Sequence, residues 1–517
     1  EIRLSLVGSE MCIRDSYTSH VLMATDDACI DGYRRLAETC HAHGTLVLSQ
    51  IFHPGREIME SADGLLAVAY APSAVPNERF RVMPRALDQE MIDEIIQGYA
   101  DAARRLHQAG LDGVELVASH GYLPAQFINP RVNRRSDGYN GELEQRLRFI
   151  REILDAMRAS TDAEFIIGLR ISADERDPEG LTEDESLAAV QLLQGQLDYV
   201  HIVAGTSASL GGAVHIVPPM AVEAAYLARE AGTFKAQLSI PLFVTGRINQ
   251  PQEAEAIIAK GQADVCGMTR ALICDPQMPN KSDSGRAEDV RACIACNQAC
   301  IGHFHKGLPI SCIQHPETGR ELLYGQPKPS ARGKRILVVG GGPAGMKAAA
   351  VAAQRGHQVT LYEASAQLGG QIQLAQLLPR RSEFGGASTN LQREMQLAGV
   401  EVVRNTRVDR ALIERENPDH VIIATGAQPY WPNFERGGDL QVVDAWQVLR
   451  DEVQLGRSVV VADWRCDWIG PGIAERLVRA GHQVQLAVNG THCGENLPLY
   501  VRDQLACLLY TSPSPRD

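Results

Sequence analysis

The stretch RILVVGGGPAGMKAAAVAAQRGHQVTLYEA, from Arg335 to Ala364, carries the strongest fold signal in the chain. An apolar run of strand type leads into a glycine-rich turn, and a segment of small residues typical of a helix follows. Gly340, Gly342 and Gly345 fit the pattern G-x-G-x-x-G, and Glu363 ends the next apolar run. Such glycines let the backbone approach a pyrophosphate at a helix N-terminus, while the acid accepts ribose hydroxyls. The stretch therefore predicts a Rossmann-like dinucleotide-binding domain.

Upstream of this domain, short apolar runs alternate with helical segments over about 250 residues. The apolar runs include GTLVLSQIFH, GVELVASHGY, EFIIGLRIS, LDYVHIVAG, IPLFVTGRI and ADVCGMTR. Repeated strand, loop and helix units are typical of a parallel α/β fold, and they predict an N-terminal (β/α)8 TIM barrel. We count seven strand candidates, so we expect the first barrel strand to be missing.

A chain of 517 residues should contain two to four domains. Two terminal segments, EMCIRDS and CLLYTSPSPRD, look like translations of one sequencing adapter read from opposite strands, so we expect a natural protein longer at both ends. The predicted segments are an adapter-derived start at 1–16, a barrel at 17–290, a cysteine loop and linker at 291–330, a Rossmann-like domain at 331–456, the start of a second nucleotide-binding-like domain at 457–506, and an adapter-derived end at 507–517.

Composition excludes several classes of function. The net charge is −13 and no basic tract interrupts the sequence, which argues against nucleic acid as a partner. No apolar run approaches the roughly 20 residues that a membrane-spanning helix needs. The sequence has no signal peptide and its cysteines are clustered, so we expect a reducing, cytoplasmic location.

The stretch CIACNQACIGHFHKGLPISC groups four cysteines, Cys293, Cys296, Cys300 and Cys312. Their spacing, C-x2-C-x3-C-x11-C, suits a cubane iron–sulfur cluster, which takes one thiolate per iron. A structural zinc site is the alternative, although zinc more often uses two separate C-x2-C knuckles. The nucleotide-binding turn that follows in the sequence favours a redox cluster that relays electrons.

A further strand, helix and strand pattern begins at RSVVVADWRCDWIGPG. Ala462, Asp463 and Trp464 stand where the tight-turn glycines of a nucleotide site belong. A bulky and an acidic side chain would crowd and repel a pyrophosphate, so this half is predicted not to bind NAD(P)H in the usual way. Alternatively, the glycines are displaced to Gly470 and Gly472.

Together these motifs resemble the NADH:flavin oxidoreductase family, a modular group of flavin and iron–sulfur enzymes with a barrel like that of old yellow enzyme. The group includes 2,4-dienoyl-CoA reductase, trimethylamine dehydrogenase and demethylases of N-methylproline or dimethylglycine. The similarity runs from about residue 21 to residue 505. It rests on motifs in family order, namely LSQIFHPGR, GVELVASHGYLPAQF, VNRRSDGYNGELEQRLRF, GMTRALICDP, CIACNQAC and GGGPAG.

The resemblance implies three cofactors. FMN would lie in the barrel mouth, with its ring contacted by Gln50 and Arg170 and its phosphate held by Gly246, Arg247, Gly267 and Arg270. A [4Fe-4S] cluster would be bound by Cys293, Cys296, Cys300 and Cys312. FAD, or ADP, would be bound by Gly340, Gly342, Gly345, Glu363 and Gly370.

The resemblance also places substrate-side residues in the barrel. His120 and Tyr122 occupy positions where trimethylamine dehydrogenase has a histidine and a tyrosine, whereas dienoyl-CoA reductase has an acid at the first. A lone histidine at a strand end is otherwise often a hydrogen-bonded structural residue. His215 lies in a loop that could reach the substrate. His53 and Arg56 are expected only to support the flavin loop.

Two functions follow from the resemblance. The first is oxidative N-demethylation of a small N-methyl amino acid or amine, with electrons passing from FMN through the cluster to an electron-transfer flavoprotein. The second is an NAD(P)H-dependent 2,4-dienoyl-CoA or enoate reductase with the opposite electron flow. The cluster spacing favours the reductase, while the altered turn at Asp463 favours the demethylase. A homo-oligomer is expected by resemblance alone.

Overall fold

The computed structural model describes residues 4–7, 22–58, 68–433 and 437–511. The segment EMCIRDS and the last six residues, both predicted to be adapter-derived, lie outside the described residues. The chain divides into two compact units. The first comprises Glu1–Pro218, Val222–Met268 and Asp503–Asp517, and the second comprises Pro219–Ala221 and Thr269–Arg502.

The first unit is an α/β fold around a parallel sheet. Its strands are β1 (Leu4–Val7), β2 (Val47–Ile51), β3 (Tyr70–Ala71), β4 (Arg85–Ala86), β5 (Gly113–Ala118), β6 (Ile166–Ser172), β7 (Tyr199–Val203), β8 (Leu242–Thr245) and β9 (Val265–Gly267). Its helices are α1 (Ile30–His41), α2 (Gln89–Gln108), α3 (Leu123–Ile128), α4 (Leu143–Arg146), α5 (Arg148–Ala159), α6 (Glu183–Leu193), α7 (Leu210–Ala213), α8 (Ala228–Lys235) and α9 (Pro251–Ala259). The main sheet has the order β1-β2-β5-β6-β7-β8-β9, and β3 pairs with β4. Because each strand of the main sheet lies beside its neighbour in chain order, the predicted TIM-barrel architecture is confirmed.

The edge position beside β2 is occupied by β1. Its residues pair in parallel with β2, from Leu4 opposite Val47 to Val7 opposite Gln50. We expected the first barrel strand to be missing, and the described residues place the segment Leu4–Val7 at that edge of the sheet. The adapter origin of residues 1–16 stays a prediction.

Local sequence explains where the barrel elements begin and end. Every residue of β5 is buried, as expected for a parallel strand covered on both faces. The helix α2 begins after Asp88, whose side chain accepts a hydrogen bond from the Met91 amide at 2.9 Å. It ends at Gln108, and Gly110 just beyond it has a φ of +85°, the left-handed conformation that favours glycine after a helix. These signals fix the strand ends that carry the candidate site.

The second unit contains two groups of parallel strands. Its strands are β10 (Arg335–Val339), β11 (Gln358–Tyr362), β12 (Glu401–Val403), β13 (His420–Ile423), β14 (Ser458–Asp463) and β15 (Gln483–Val488). Its helices are α10 (Thr269–Cys274), α11 (Met278–Asp283), α12 (Ile301–Phe304), α13 (Glu321–Tyr324), α14 (Pro343–Gln354), α15 (Ile372–Ala375), α16 (Phe384–Leu397), α17 (Arg410–Glu416), α18 (Ala445–Leu449) and α19 (Ile469–Arg479). The first four strands form a sheet in the order β12-β11-β10-β13, and β14 pairs with β15. This arrangement confirms the predicted Rossmann-like domain.

Three 3-10 turns, Asp27–Cys29, Gln194–Gln196 and Ala287–Asp289, and a final helix, α20 (Leu499–Thr511), complete the described elements. Among the residues that the structure describes, no helix is both long enough and apolar enough to cross a bilayer.

A stacked aromatic pair anchors two barrel helices. The rings of Phe127 in α3 and Phe149 in α5 have centroids 4.1 Å apart and planes inclined by 20°. Neither side chain is exposed. Since α3 follows directly on the loop after β5, this pair helps to fix the site-bearing end of that strand.

We predict that Phe149→Ala lowers the free energy of unfolding of the barrel by about 3–5 kcal/mol, because it removes a buried ring and leaves a cavity. Urea unfolding followed by circular dichroism measures the loss. The matched control is Leu192→Ala, since Leu192 is 39% exposed and should cost no more than about 0.5 kcal/mol. Equal losses in the two variants would contradict the role of the stacked pair.

Candidate functional site

A buried carboxylate, Glu115 of β5, connects several strands of the barrel. Its side chain accepts a hydrogen bond at Oε1 from Gln50 Nε2 of β2, at 2.6 Å. At Oε2 it accepts from the Tyr199 hydroxyl at 2.8 Å and from His201 Nδ1 at 2.9 Å, both on β7. Glu115 is only 2% exposed, so these donors replace the water that an ionised carboxylate would otherwise bind.

Arg170 of β6 completes this polar cluster. Its Nη1 lies 3.8 Å from Glu115 Oε1 and 3.1 Å from His201 Nδ1. The second ring nitrogen of His201 is 2.7 Å from Thr245 Oγ1 at the end of β8. Burial alone would raise the pKa of Glu115, but its interactions with His201, Arg170 and Tyr199 outweigh burial and lower that pKa to about 2. The carboxylate is therefore ionised throughout the physiological range.

The structure thus brings together the two residues predicted to contact the flavin ring, Gln50 and Arg170, through Glu115. Sequence reasoning missed Glu115, His201 and Thr245. One signal was available, because a carboxylate inside the apolar run GVELVA must find partners once the strand is buried. Which partners it finds depends on strand pairing, which the sequence alone does not give.

His120 and Tyr122 lie in a tight turn after β5. His120 has a φ of +60° and Gly121 a φ of +77°, so two successive residues adopt the left-handed conformation. The turn is fixed by the His120 amide, which donates to Ser172 Oγ at 3.1 Å, and by the His120 carbonyl, which accepts from the Ser207 amide at 2.9 Å. Left-handed backbone at a non-glycine residue is strained and persists only where surrounding bonds enforce it.

The imidazole of His120 is neutral. Burial, assisted by the positive charge of Arg170, lowers its pKa to about 3. Its Nδ1 lies 3.3 Å from the Gly205 carbonyl, and since a carbonyl only accepts, Nδ1 carries the proton and Nε2 is left as an acceptor. The rings of His120 and Tyr122 meet edge to face with centroids 6.2 Å apart. The predicted pair is therefore close together.

His215 follows α7 and flanks the same glycine. A Cβ added to Gly205 would lie 2.9 Å from His215 Cβ, so the two residues are in close contact. Burial and the nearby Arg176 lower the pKa of His215 to about 4. Its Nδ1 is buried and has no hydrogen-bond partner among the described residues. His120 and His215 therefore reach Gly205 from different loops of the barrel.

The residues predicted to hold the FMN phosphate are Gly246, Arg247, Gly267 and Arg270. A side chain at Gly267 would clash with the Thr245 hydroxyl, so only glycine fits at this end of β9. Arg247 is 5% exposed and has a φ of +53° directly after β8. Arg270 lies in α10 and donates to Asn297 Oδ1 at 2.8 Å. Its role toward phosphate stays a prediction.

In the second unit the glycine-rich turn adopts the predicted strand, turn and helix arrangement. Gly340 has a φ of +106° directly after β10. A side chain at Gly345 would clash with the Gly340 carbonyl, which explains why both positions are glycine. Gly342 caps α14, and Pro343 occupies the first helical position, where its missing amide costs nothing.

Glu363, which follows β11, hydrogen-bonds the backbone of this turn. Its Oε2 accepts from the Gly341 amide at 2.7 Å, and its Oε1 accepts from the Ser365 amide at 2.8 Å. Gly370 has a φ of +52°, and a Cβ there would lie 3.1 Å from the Gly342 Cα. The five residues predicted to bind a dinucleotide therefore surround one turn, which fits a pyrophosphate at the start of α14.

All four cysteines of the predicted cluster line one small cavity of about 20 Å³. The loop that carries the first three has a φ of +48° at Ala295 and +57° at Asn297. No group of three or more His, Cys, Asp or Glu within the described residues converges closely enough for a single metal ion. Zinc draws its sulfurs to about 2.3 Å from one centre, whereas a cubane spreads four thiolates over four irons. The four thiols share one cavity, and the kind of metal centre they hold stays a prediction.

A fifth thiol, Cys274, lies beside this loop and was not identified from the sequence. It is 1% exposed and hydrogen-bonds Cys312. Gln314 Nε2 donates to the Cys274 sulfur at 3.4 Å. The isolated cysteine in ALICDP gave no sign of this contact because its partner lies far along the chain.

The altered turn after β14 places a carboxylate at the start of α19. Asp463 is 4% exposed and accepts at Oδ1 from the amides of Arg465 and Cys466, at 3.1 and 3.0 Å. A Cβ at Gly470 would clash with the Asp463 carboxyl group. Both alternative glycines, Gly470 and Gly472, lie inside the helix. They do not form a turn in front of it.

The sequence profile described as the NADH:flavin oxidoreductase / NADH oxidase family matches residues 13–289, and the profile described as pyridine nucleotide-disulphide oxidoreductase matches residues 334–461. An NADH oxidase of Thermoanaerobacter brockii is 37% identical over 90% of this chain and 71% of its own. An N,N-dimethylglycine/sarcosine dehydrogenase of Chromohalobacter salexigens is 36% identical over 92% of this chain and 70% of its own. The solved structure of 2-naphthoyl-CoA reductase with 2-naphthoyl-CoA superposes with a TM-score of 0.87 at 29% identity, covering 95% of this chain and 76% of that one.

We predict that Glu115→Gln lowers the free energy of unfolding by about 3–5 kcal/mol at neutral pH, because an amide donor would face the donors that now surround the carboxylate. The folded-state pKa of Glu115, about 2, is below the ordinary value of 4.5. Its contribution is therefore present above about pH 4.5 and is lost as the pH falls toward 2.

Urea unfolding of the wild type and the variant across this range measures the difference between them, which should shrink below about pH 4.5. Glu164→Gln, at an exposed turn position, is the control and should change little. A Glu115 variant as stable as the wild type at neutral pH would contradict the prediction.

Proposed function

This chain belongs to the NADH:flavin oxidoreductase / NADH oxidase family and is a flavin-dependent oxidoreductase, and on that premise we propose that it oxidatively demethylates a small N-methyl amino acid or amine. In this reaction a C–H bond of the N-methyl group breaks and both electrons leave with the hydrogen. Water converts the iminium ion that remains into formaldehyde and the demethylated amine, with release of a proton.

The observation that carries this proposal is the Asp463 carboxylate against the first turn of α19. The amides at a helix N-terminus attract a dinucleotide pyrophosphate because they are unpaired and electropositive. A buried carboxylate at this point supplies negative charge from within the protein and would repel a second anion. Without a nicotinamide site in this half, electrons need another partner, and an electron-transfer flavoprotein is the partner we propose.

FMN, when bound in the barrel mouth, would supply the two-electron acceptor for this chemistry. Gln50 and Arg170 would hold its ring, since the Glu115 cluster fixes both side chains. The neutral His120 presents Nε2 as an acceptor, which suits a hydrogen bond from a substrate ammonium or amine. Tyr122, at the start of α3, supplies the neighbouring hydroxyl. The chain's own residues would thus bind and orient an amine through two uncharged side chains, His120 and Tyr122.

The similarity to an N,N-dimethylglycine/sarcosine dehydrogenase over 92% of the chain supports the substrate class. The second candidate is an NAD(P)H-dependent reductase of enoates or enoyl-CoA compounds. The cysteine spacing favours it, as does the similarity to an NADH oxidase. The two candidates differ in which small molecule reduces the flavin.

We predict that anaerobic protein loses its flavin absorbance when mixed with N-methylproline or dimethylglycine and keeps it when mixed with NADPH. Stopped-flow absorbance measures the rate for each compound. Bleaching by NADPH alone would refute the demethylase and establish the reductase. Formaldehyde release in proportion to the amine consumed is the second readout.

The same assay tests His120 through His120→Asn. Asparagine tolerates the left-handed conformation that this position requires, so the turn should survive while the imidazole is lost. We expect the rate of flavin bleaching to fall by about 100-fold, with bound flavin unchanged. Phe80→Leu, at a partly buried position of another barrel loop, is the control. An unchanged rate in His120→Asn would assign this histidine a structural role only.

We further propose that Cys293, Cys296, Cys300 and Cys312 bind a [4Fe-4S] cluster and that the turn at Gly340 binds FAD or ADP. The cavity that the four thiols share supports the cluster. We predict about four irons and four sulfides per chain in anaerobic protein, measured by elemental and sulfide analysis. One zinc and no sulfide would refute the cluster. Cys266→Ser, at a half-buried thiol of β9, should leave the iron content unchanged, whereas Cys300→Ser should reduce it.

A further inference from the structure

A buried carboxyl group, Glu57, lies beneath the turn that carries His120 and Tyr122. Glu57 is fully buried. A Cβ added to Gly121 would lie 3.4 Å from Glu57 Oε1, so the carboxyl group packs directly against the turn. Nothing in the proposed demethylation uses this acid, and its position needs an explanation because burying an ionisable group is costly.

Ser207 links Glu57 to the turn. The Ser207 hydroxyl lies 3.0 Å from Glu57 Oε2 and 3.1 Å from the His120 carbonyl oxygen. A serine hydroxyl has one hydrogen and can donate to only one of these oxygens. Ser207 can donate to Glu57 Oε2 or to the His120 carbonyl. When Glu57 carries a proton and donates it to Ser207, the serine hydrogen is free to go to His120.

Ionised Glu57 would change this arrangement. A carboxylate is a stronger acceptor than a peptide carbonyl, so the Ser207 hydrogen would turn to Glu57 and leave the His120 carbonyl with the Ser207 amide alone. The turn at His120 is strained and depends on its surrounding bonds. Loss of one such bond loosens the residues that face the substrate.

The surroundings of Glu57 hold its pKa near neutral pH, so its protonation state changes within the physiological range. Burial raises the pKa of Glu57 to about 7, although the positive charges of Arg56 and Arg79 and the Ser207 hydroxyl act in the opposite direction. Glu175 also faces it and raises the pKa further. Asn77 donates to Glu57 Oε2 at 3.2 Å, and Arg56 Nε is 3.5 Å from Oε1.

A cavity lies beside the residues that surround Glu57. Arg56 and Asn77, which both contact Glu57, line a cavity of about 330 Å³ in the barrel unit. Gly121 and Thr206 line the same cavity, so it also touches the turn.

We propose that protonated Glu57 is a positioning residue that fixes the His120–Tyr122 turn through Ser207, and that ionisation of Glu57 releases the turn. The proposal concerns the turn itself and holds whether the substrate is an N-methyl amine or an enoate. The hydrogen-bond link from Glu57 to this turn runs through Ser207.

Hydrogen exchange measured by mass spectrometry tests the proposal without any substrate. The reporter is the Tyr122 amide, which donates to the Ser119 carbonyl at 3.1 Å. After correction for intrinsic exchange chemistry, this amide should exchange about fivefold faster at about pH 8 than at about pH 6, the effect of one lost hydrogen bond. Infrared spectroscopy should show a protonated carboxyl band that titrates in the same range.

Two variants give opposite expectations. Glu57→Gln stays neutral and can donate like the protonated acid, so the turn should remain protected at both pH values. The infrared band should lose the part that Glu57 contributes, while the Glu175 part remains. Ser207→Ala breaks the link, so the turn should exchange fast at both. Glu175→Gln is the matched control. Glu175 has a similarly raised pKa of about 7, but its carboxyl group accepts from the Leu181 amide and is not linked to this turn through Ser207. It should leave the pH dependence in place.

Exchange in the wild type that is the same at both pH values would overturn the proposal. Exchange that still depends on pH in Ser207→Ala would also overturn the proposal. This variant decides the question even if Glu57→Gln does not fold. Flavin reduction by the active substrate should show a matching loss of rate above about pH 7 that Glu57→Gln removes. If no tested amine or nicotinamide reduces the flavin, the proposed function fails while the exchange result still decides the role of Glu57.

Discussion

One buried carboxylate, Glu115, is the constraint on which the arrangement of the barrel site depends. An ionised acid in the interior must be surrounded by donors, and these donors come from β2 and β7. The positive charge of Arg170 in β6 lies 3.8 Å away. If one member of this set is removed, a charged group stays buried without its partner, which costs several kcal/mol. The side chains of Gln50 and Arg170 are consequently fixed before any cofactor arrives, which is what a precise binding site requires.

The sequence was sufficient for the architecture because periodic apolar runs and glycine turns are local signals. The barrel strands, the Rossmann-like sheet and the turn at Gly340 follow from such patterns. The catalytic-side assignments of His120 and Tyr122 depended on resemblance. The roles of Glu115 and Glu57 could not be predicted from the sequence, because each is an isolated acid there. Their partners come from strands or loops that are distant in the chain and that bury them in the fold.

The second unit contains the same strand, turn and helix pattern twice, with different residues at the turn. After β10, glycines leave the amides at the start of α14 open to a ligand, and Glu363 fixes the turn from the side. After β14, Asp463 supplies the negative charge itself at the start of α19. Two similar local folds therefore differ in whether they attract an anion, and this difference supports the proposed direction of electron flow.

The cysteine loop has a consequence for how its metal centre would be built. Ala295 and Asn297 already adopt left-handed backbone, and Arg270 donates to the Asn297 side chain. A loop whose strained residues are fixed by the protein loses little conformational entropy when metal binds. Small zinc domains, by contrast, fold only when the ion arrives. The metal would then bind to a preorganised loop, and a chain that has lost its metal would keep its fold and could bind metal again.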